Sequence, residues 1–190
     1  MKHRTNGKDT FRNLLSEIDD HAIALLMPSG ESLTYGELIL EASSLSNKLS
    51  QHGITRDDRV AILLPNGPSM VISFLATIFT ACAAPLNPKF RANEIDFYLN
   101  DLGASAIITD ATTFPSEETG LAKAVDKLFL DGPVGNLNLS TNKRLYRSRY
   151  RAPRADDAAL VLHTSGTTSL PKLVPLRQGH LVHSAANIAR

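Results

Sequence analysis

The sequence predicts an α/β fold: a mainly parallel sheet with helices packed on it. Three observations carry this expectation. Short apolar runs, "RVAILLP" from Arg59, "ASAIIT" at 104–109 and "AALVLH" at 158–163, read as strands. Helix-patterned stretches lie between them, and strict succession of strand and helix suits parallel neighbours, which need a crossover connection. A chain of 190 residues with 43% hydrophobic residues can also bury a real core.

Taken in order, Phe11 to Asp19 reads as a short helix, and "AIALLM" at 22–27 as a strand stopped by the turn residues "PSGE". Thr34 opens a helix, because Glu37 three residues on completes a capping box in which hydroxyl and carboxylate satisfy two free backbone N–H groups. Leu38, Ala42, Leu45 and Leu49 then form one apolar stripe, and Gly53 suits the helix exit. After the strand at Arg59, Ser69 to Cys82 reads as an apolar helix and "APLN" at 84–87 as a short extended piece. Ala92 to Leu102 reads as a helix ended by Gly103, residues 116–126 as helical, and "KLFL" at 127–130 as extended. "DGPVGNLNLSTN", from Asp131, is turn-rich. "AALVLH" and "LVPLR", at 173–177, are two further strands, and Gly179 to Arg190 begins a helix with no stop signal.

Charge and composition narrow the function classes. A formal net charge of +1 gives no global pull toward nucleic acid or anionic membrane. "KRLYRSRYRAPR", from Lys143, carries six cations with Tyr146 and Tyr150 interleaved, a pattern that can grip a polynucleotide. No matching groove is evident elsewhere, so a solvated basic loop is expected and a nucleic-acid partner is not. Cys82 is the only cysteine, which excludes an internal disulfide and a cysteine zinc site and favours a reducing compartment. The N-terminus lacks an apolar run after its basic residues and has several acids, so neither a secretion signal nor a transit peptide is expected. Met70 to Ala84 is the most apolar stretch, too short for the roughly 18 to 20 residues of a membrane span and better suited to a buried helix. A cytoplasmic location is expected.

The chemistry concentrates in "LHTSGTTSLPKLVP", residues 162–175. Strand, hydroxyl-rich loop, lysine, strand is an arrangement suited to polyphosphate. Gly166 can take backbone angles closed to other residues and lets N–H groups approach an anion. Thr164, Ser165, Thr167 and Thr168 can donate hydrogen bonds to phosphate oxygens, and Lys172 adds a compact positive charge. The spacing is not that of the Walker loop, whose glycine-lysine pair leads into a helix. On composition alone, a polar surface hairpin explains the same residues. Elsewhere, His163 can touch a ligand or be a packed, hydrogen-bonded strand end. His180 and His183 are three apart with no nearby carboxylate, which is weak metal evidence. Asn87 suits a turn beside Pro88, and Cys82 is expected to be buried and inert.

"TSGTTSLPK" followed by "LVPL" closely resembles the phosphate-binding signature of the AMP-forming adenylating ligases, the family of acyl-CoA synthetases, luciferase and peptide-synthetase adenylation domains. "LTYGEL" at 33–38 and "APLNPKFRANEIDFYLNDLGASAIIT" at 84–109 agree with the family in order and spacing. "APLNP" and "LHTSGTTSLPK" are most similar to the small-acid branch typified by oxalate-CoA ligase. The resemblance implies the first part of a large N-terminal domain that uses ATP, Mg2+ and coenzyme A to turn a small carboxylic acid, oxalate or another, into an acyl-adenylate and then an acyl-CoA. It implies that Thr164, Ser165, Gly166, Thr167, Thr168 and Lys172 hold the β- and γ-phosphates, and it assigns no catalytic residue here.

There are departures. Ser169 and Leu173 stand where most of the family has glycine, although Ser169 also occurs in the oxalate-type branch, and Gln178 stands where many members have a histidine. Nothing matches the family's later "YGxTE" signature, its ribose-binding aspartate, its hinge or its C-terminal-domain lysine; "TYGE" at 34–37 belongs to the first motif. The expectation is therefore that residues 1–190 are a partial AMP-binding domain without the C-terminal domain. Such a chain would be catalytically incomplete, poorly soluble alone and partnered by the remainder of its own domain. The alternative is a non-catalytic short product acting as a binding or assembly module. Relatives that enter peroxisomes carry their address at the C-terminus, so a peroxisomal location is the alternative to the cytoplasm.

Overall fold

The computed structural model describes residues 10–114, 120, 124–141, 150–164 and 171–188. After a short helix α1 (Phe11–Leu15), two strands, β1 (Ile23–Leu26) and β2 (Ser32–Thr34), pair as an antiparallel hairpin. Helix α2 (Tyr35–Gln51) begins on the capping box expected at Thr34, with the Thr34 hydroxyl accepting from the Glu37 N–H at 3.2 Å and the Glu37 carboxylate accepting from the Thr34 N–H at 2.8 Å. Its stripe of Leu38, Ala42, Leu45 and Leu49 is buried as the spacing predicts.

Strands β3 (Arg59–Leu63), β4 (Cys82–Pro85), β5 (Ala106–Thr109), β6 (Asp126–Asp131) and β8 (Ala158–Thr164) pair in parallel. Helices α3 (Pro68–Ile78) and α4 (Ala92–Leu102) supply two of the crossovers. Strands β7 (Asn138–Ser140) and β9 (Lys172–Arg177) add antiparallel edges, and α5 (Gln178–Ile188) follows. Among the described residues the sheet has seven strands in the order β7-β6-β5-β3-β4-β8-β9. The mainly parallel α/β architecture expected from the sequence is present.

Alternation along the strands divides the core into two layers. Val60, Ile62, Ala83, Ala106 and Ile108 face α2 and α3, whereas Ala61, Leu63, Cys82, Ala84 and Ile107 face α4. Both sheet faces are covered, which is why these strands read as continuous apolar runs. Two buried polar contacts join elements where they cross, the first between α2 and α3, where the Ser46 and Thr80 hydroxyls meet at 2.6 Å. The buried carboxylate of Glu41 accepts from the N–H groups of Gly135, at 2.9 Å, and Leu137, at 2.8 Å, fixing the β6–β7 turn to α2.

Several expected boundaries are corrected. The apolar helix does not run from Ser69 to Cys82: it stops at Ile78, and the Cys82 N–H joins the Asp58 carbonyl at 3.0 Å to open β4. A buried helix followed by a buried strand leaves no change of polarity to mark the junction. The first helix ends at Leu15 rather than Asp19, where the Ser16 hydroxyl turns back to the Asn13 carbonyl. The turn-rich stretch after Asp131 also contains β7. Of the expected helix at 116–126, Asp126 already belongs to β6, and residues 116–119 and 121–123 lie outside the described residues.

Candidate functional site

Because β3, β4, β5, β6 and β8 are parallel, their carboxyl ends share one rim, the side of an open α/β sheet where ligands bind. Two places on that rim have distinct chemistry. A cleft of about 300 Å3 lies beyond β3, β5 and β6, beside Asn66, Gly67 and Asp110. Its one charged lining group is Asp110. Burial pushes the Asp110 carboxyl up, but hydrogen bonds from the hydroxyls and N–H groups of Thr112 and Thr113 outweigh this and hold it below the usual carboxylate range. An ionised carboxylate already engaged by its own turn disfavours an anionic ligand there.

The second place is the rim end of the paired strands β8 and β9, at Thr164 and Lys172. The strands pair with His163 opposite Leu173 and Thr164 opposite Lys172, so two residues eight positions apart become cross-strand partners at the rim. The Thr164 hydroxyl donates to the Lys172 carbonyl at 3.4 Å, and both side chains are exposed. The structure thus brings together Thr164 and Lys172, the first and last of the six expected phosphate ligands. Ser165, Gly166, Thr167 and Thr168 lie outside the described residues.

The hairpin stem is anchored from one side. Leu173, a departure from the family pattern, is half-buried and packs into the core layer that contains Val161, Ile95 and Leu99. Its neighbour His163 donates from Nε2 to Asp101 Oδ2 at 3.1 Å, and its ring meets Tyr98 edge-on at 4.5 Å. Tyr98 is in turn stacked on Phe90 at 4.7 Å. His163 is therefore packed and hydrogen-bonded, one of its two expected readings. Asp101 was not singled out from sequence. An acid in the last turn of α4, where the helix dipole disfavours negative charge, was the available signal.

The remaining candidates have structural roles. Asn87 accepts from the Lys89 N–H at 3.0 Å and shapes the expected turn. Cys82 is buried, and burial pushes its thiol up to about 11 against a smaller opposing effect of Arg59, so the thiol stays protonated and inert. His180 accepts from the Arg177 N–H through Nδ1 at 3.3 Å at the start of α5. Among the described residues no cluster of three potential metal ligands occurs, and no helix is long and apolar enough to cross a membrane. Gln178, also a departure from the family pattern, is buried and joins three elements: Oε1 accepts from the Phe11 N–H at 3.1 Å, and Nε2 donates to the Ile78 carbonyl at 2.6 Å.

Residues 16–190 match the family described as AMP-binding enzyme. The chain belongs to that family. It is 34% identical over 164 residues to an oxalate–CoA ligase of Saccharomyces cerevisiae, covering 72% of this chain and 30% of the relative. It is 35% identical over 195 residues to an oxalate–CoA ligase of Arabidopsis thaliana, covering 95% of this chain and 37% of the relative. The chain thus spans about a third of the length of these curated relatives. Its fold is similar to that of o-succinylbenzoate coenzyme A synthetase from Bacillus subtilis in complex with AMP, with a TM-score of 0.73, 25% identity and coverage of 94% of this chain and 44% of that one. Apo MatB from Rhodopseudomonas palustris has a TM-score of 0.73 and 25% identity, with 97% of this chain and 37% of that one covered.

Proposed function

We propose that this chain supplies the phosphate grip of an ATP-dependent carboxylic acid–CoA ligase acting on a small acid, with oxalate the first candidate. The observation that carries the reading is the cross-strand pairing of Thr164 with Lys172 at the sheet's ligand-binding rim, flanking the hydroxyl-rich segment. The likeness to two oxalate–CoA ligases supports the substrate class.

In this reading the acid's carboxylate attacks the α-phosphate of ATP, the bond to the bridging oxygen breaks, and pyrophosphate leaves. The thiol of coenzyme A then attacks the acyl carbon and displaces AMP. Thr164, Ser165, Thr167 and Thr168 donate to the β- and γ-phosphates, Gly166 allows close backbone approach, and Lys172 neutralises charge that grows on the leaving group. Hydroxyl oxygens and phosphates are the hard donors that Mg2+ prefers, so the ion would be held chiefly by the nucleotide's phosphates beside the hydroxyls of this segment and would offset charge on the leaving pyrophosphate. The groups that select and align the acid are assigned to none of these residues.

The test is acid-dependent pyrophosphate release by the full-length protein. Lys172→Ala is expected to slow the adenylation step by roughly 10²-fold, the cost of removing one well-placed donor to developing negative charge. Unchanged turnover would remove the lysine from the mechanism, and absence of release with any small acid would remove the ligase reading.

A further inference from the structure

Away from the rim, the described residues form another cleft of about 300 Å3, which the proposed ligase chemistry leaves without a role. It lies where α1, the end of α3, the start of α5 and the segment at 150–153 come together. Phe79 closes α3 just before β4 begins at Cys82, and Gln178 follows the last residue of β9, which pairs with the start of β8. The cleft therefore sits at the amino ends of the parallel strands, with Lys172 at the far end of β9. Arg12 is its one charged lining group. The guanidinium carbon lies 5.3 Å from the centroid of the Phe79 ring, and one terminal nitrogen donates to the Ser43 hydroxyl at 3.2 Å. These contacts orient the group while using one of its five N–H donors, and among the described residues no carboxylate pairs with it.

We propose that this cleft is a binding site for a small organic carboxylate, whose charged end pairs with Arg12 and whose apolar body lies against Ile78, Pro153 and the Tyr150 ring. The chemistry of the walls selects that class. A planar guanidinium offers parallel N–H donors that match the two oxygens of a carboxylate. One cation balances a singly charged acid, whereas a phosphate monoester, with nearly two negative charges at neutral pH, would be left short of a partner. Ile78, Phe79, Ala152 and Pro153 bring no polar side chain, so they suit a hydrocarbon body, and apolar walls with a few placed polar groups are the usual make-up of a small-molecule site. The Gln178 amide is already committed to the Phe11 N–H and the Ile78 carbonyl, which leaves recognition of charge to Arg12. The proposal does not rest on the phosphate reading, because no residue of this cleft belongs to the rim.

The experiment titrates the full-length protein with benzoate, a planar monocarboxylate, by calorimetry, and repeats the titration with benzamide, its uncharged counterpart. Benzoate is expected to bind, and benzamide to bind about tenfold more weakly or worse, the worth of hydrogen bonds that involve a charged group. Arg12→Gln, which removes the charge, is expected to weaken benzoate by a similar factor. Ala152→Leu fills the cleft from an exposed position and leaves Arg12 in place; it is expected to exclude the probe sterically. Lys172→Ala is expected to leave benzoate binding unchanged. Failure of the wild type to bind benzoate, equal affinity for benzamide, or wild-type affinity in either cleft variant overturns the proposal. Loss of binding in Lys172→Ala places the probe at the rim and overturns it too. If Arg12→Gln does not fold, Ala152→Leu alone decides.

Discussion

Asp110 shows how a single side chain beside the rim is committed to local structure. Its carboxylate organises the turn after β5 through both Thr112 and Thr113, and its pKa is depressed in the folded state. A depressed carboxyl stabilises the fold above its unfolded value of about 3.9, and that contribution is lost as pH falls through the folded value. Wild-type and Asp110→Ala are therefore expected to differ most in stability from pH 5 upward and to converge below about pH 4. Urea unfolding across that range measures the gap; a gap that widens on acidification contradicts the role. The proximity of Thr164 and Lys172 was legible at this scale because the two residues bound the stretch between two predicted strands; their part in holding phosphate is the proposal made above. Asp101 was not legible, since its partner lies 62 positions away and only the folded sheet brings them together.

Elements with terminal signals were read well and those without were not. α4 starts and stops where its sequence predicts, with Gly103 at the exit in the left-handed region at φ 56°. A Cβ there would meet only the Arg59 guanidinium at 3.9 Å, so substitution strains the backbone without a clash. Gly103→Ala is expected to cost about 1 kcal/mol in chemical unfolding, and Gly103→Asn less, because asparagine tolerates this region. Equal stability of all three would mean that the exit relaxes freely. The end of α3 was misplaced because apolar residues continue from helix into strand. The three-residue strands β2 and β7 were missed because so short a run has no period; their partners β1 and β6 define them.

At the scale of the molecule, Gln178 is a bolt between regions that share no sequence pattern. Removing its amide leaves the Phe11 N–H and the Ile78 carbonyl without that partner in a buried place. Gln178→Ala is expected to lower global stability by about 2 to 4 kcal/mol and to speed amide exchange in α1 before it does so in the central strands. Uniform exchange through α1 and the sheet would show that α1 is held by other means. Leu173 and Gln178, both unusual against the family pattern, have physical partners here, so neither departure signals a damaged fold.

The same glutamine also imposes an order of events during synthesis. Phe11 emerges from the ribosome 167 residues before the side chain that receives its N–H. At about 5 to 20 residues per second, the first helix waits roughly 10 to 30 s for that partner. Through that interval Phe11 and Leu15 have only the helices and strands already made to lean on, until Gln178 too has left the ribosome.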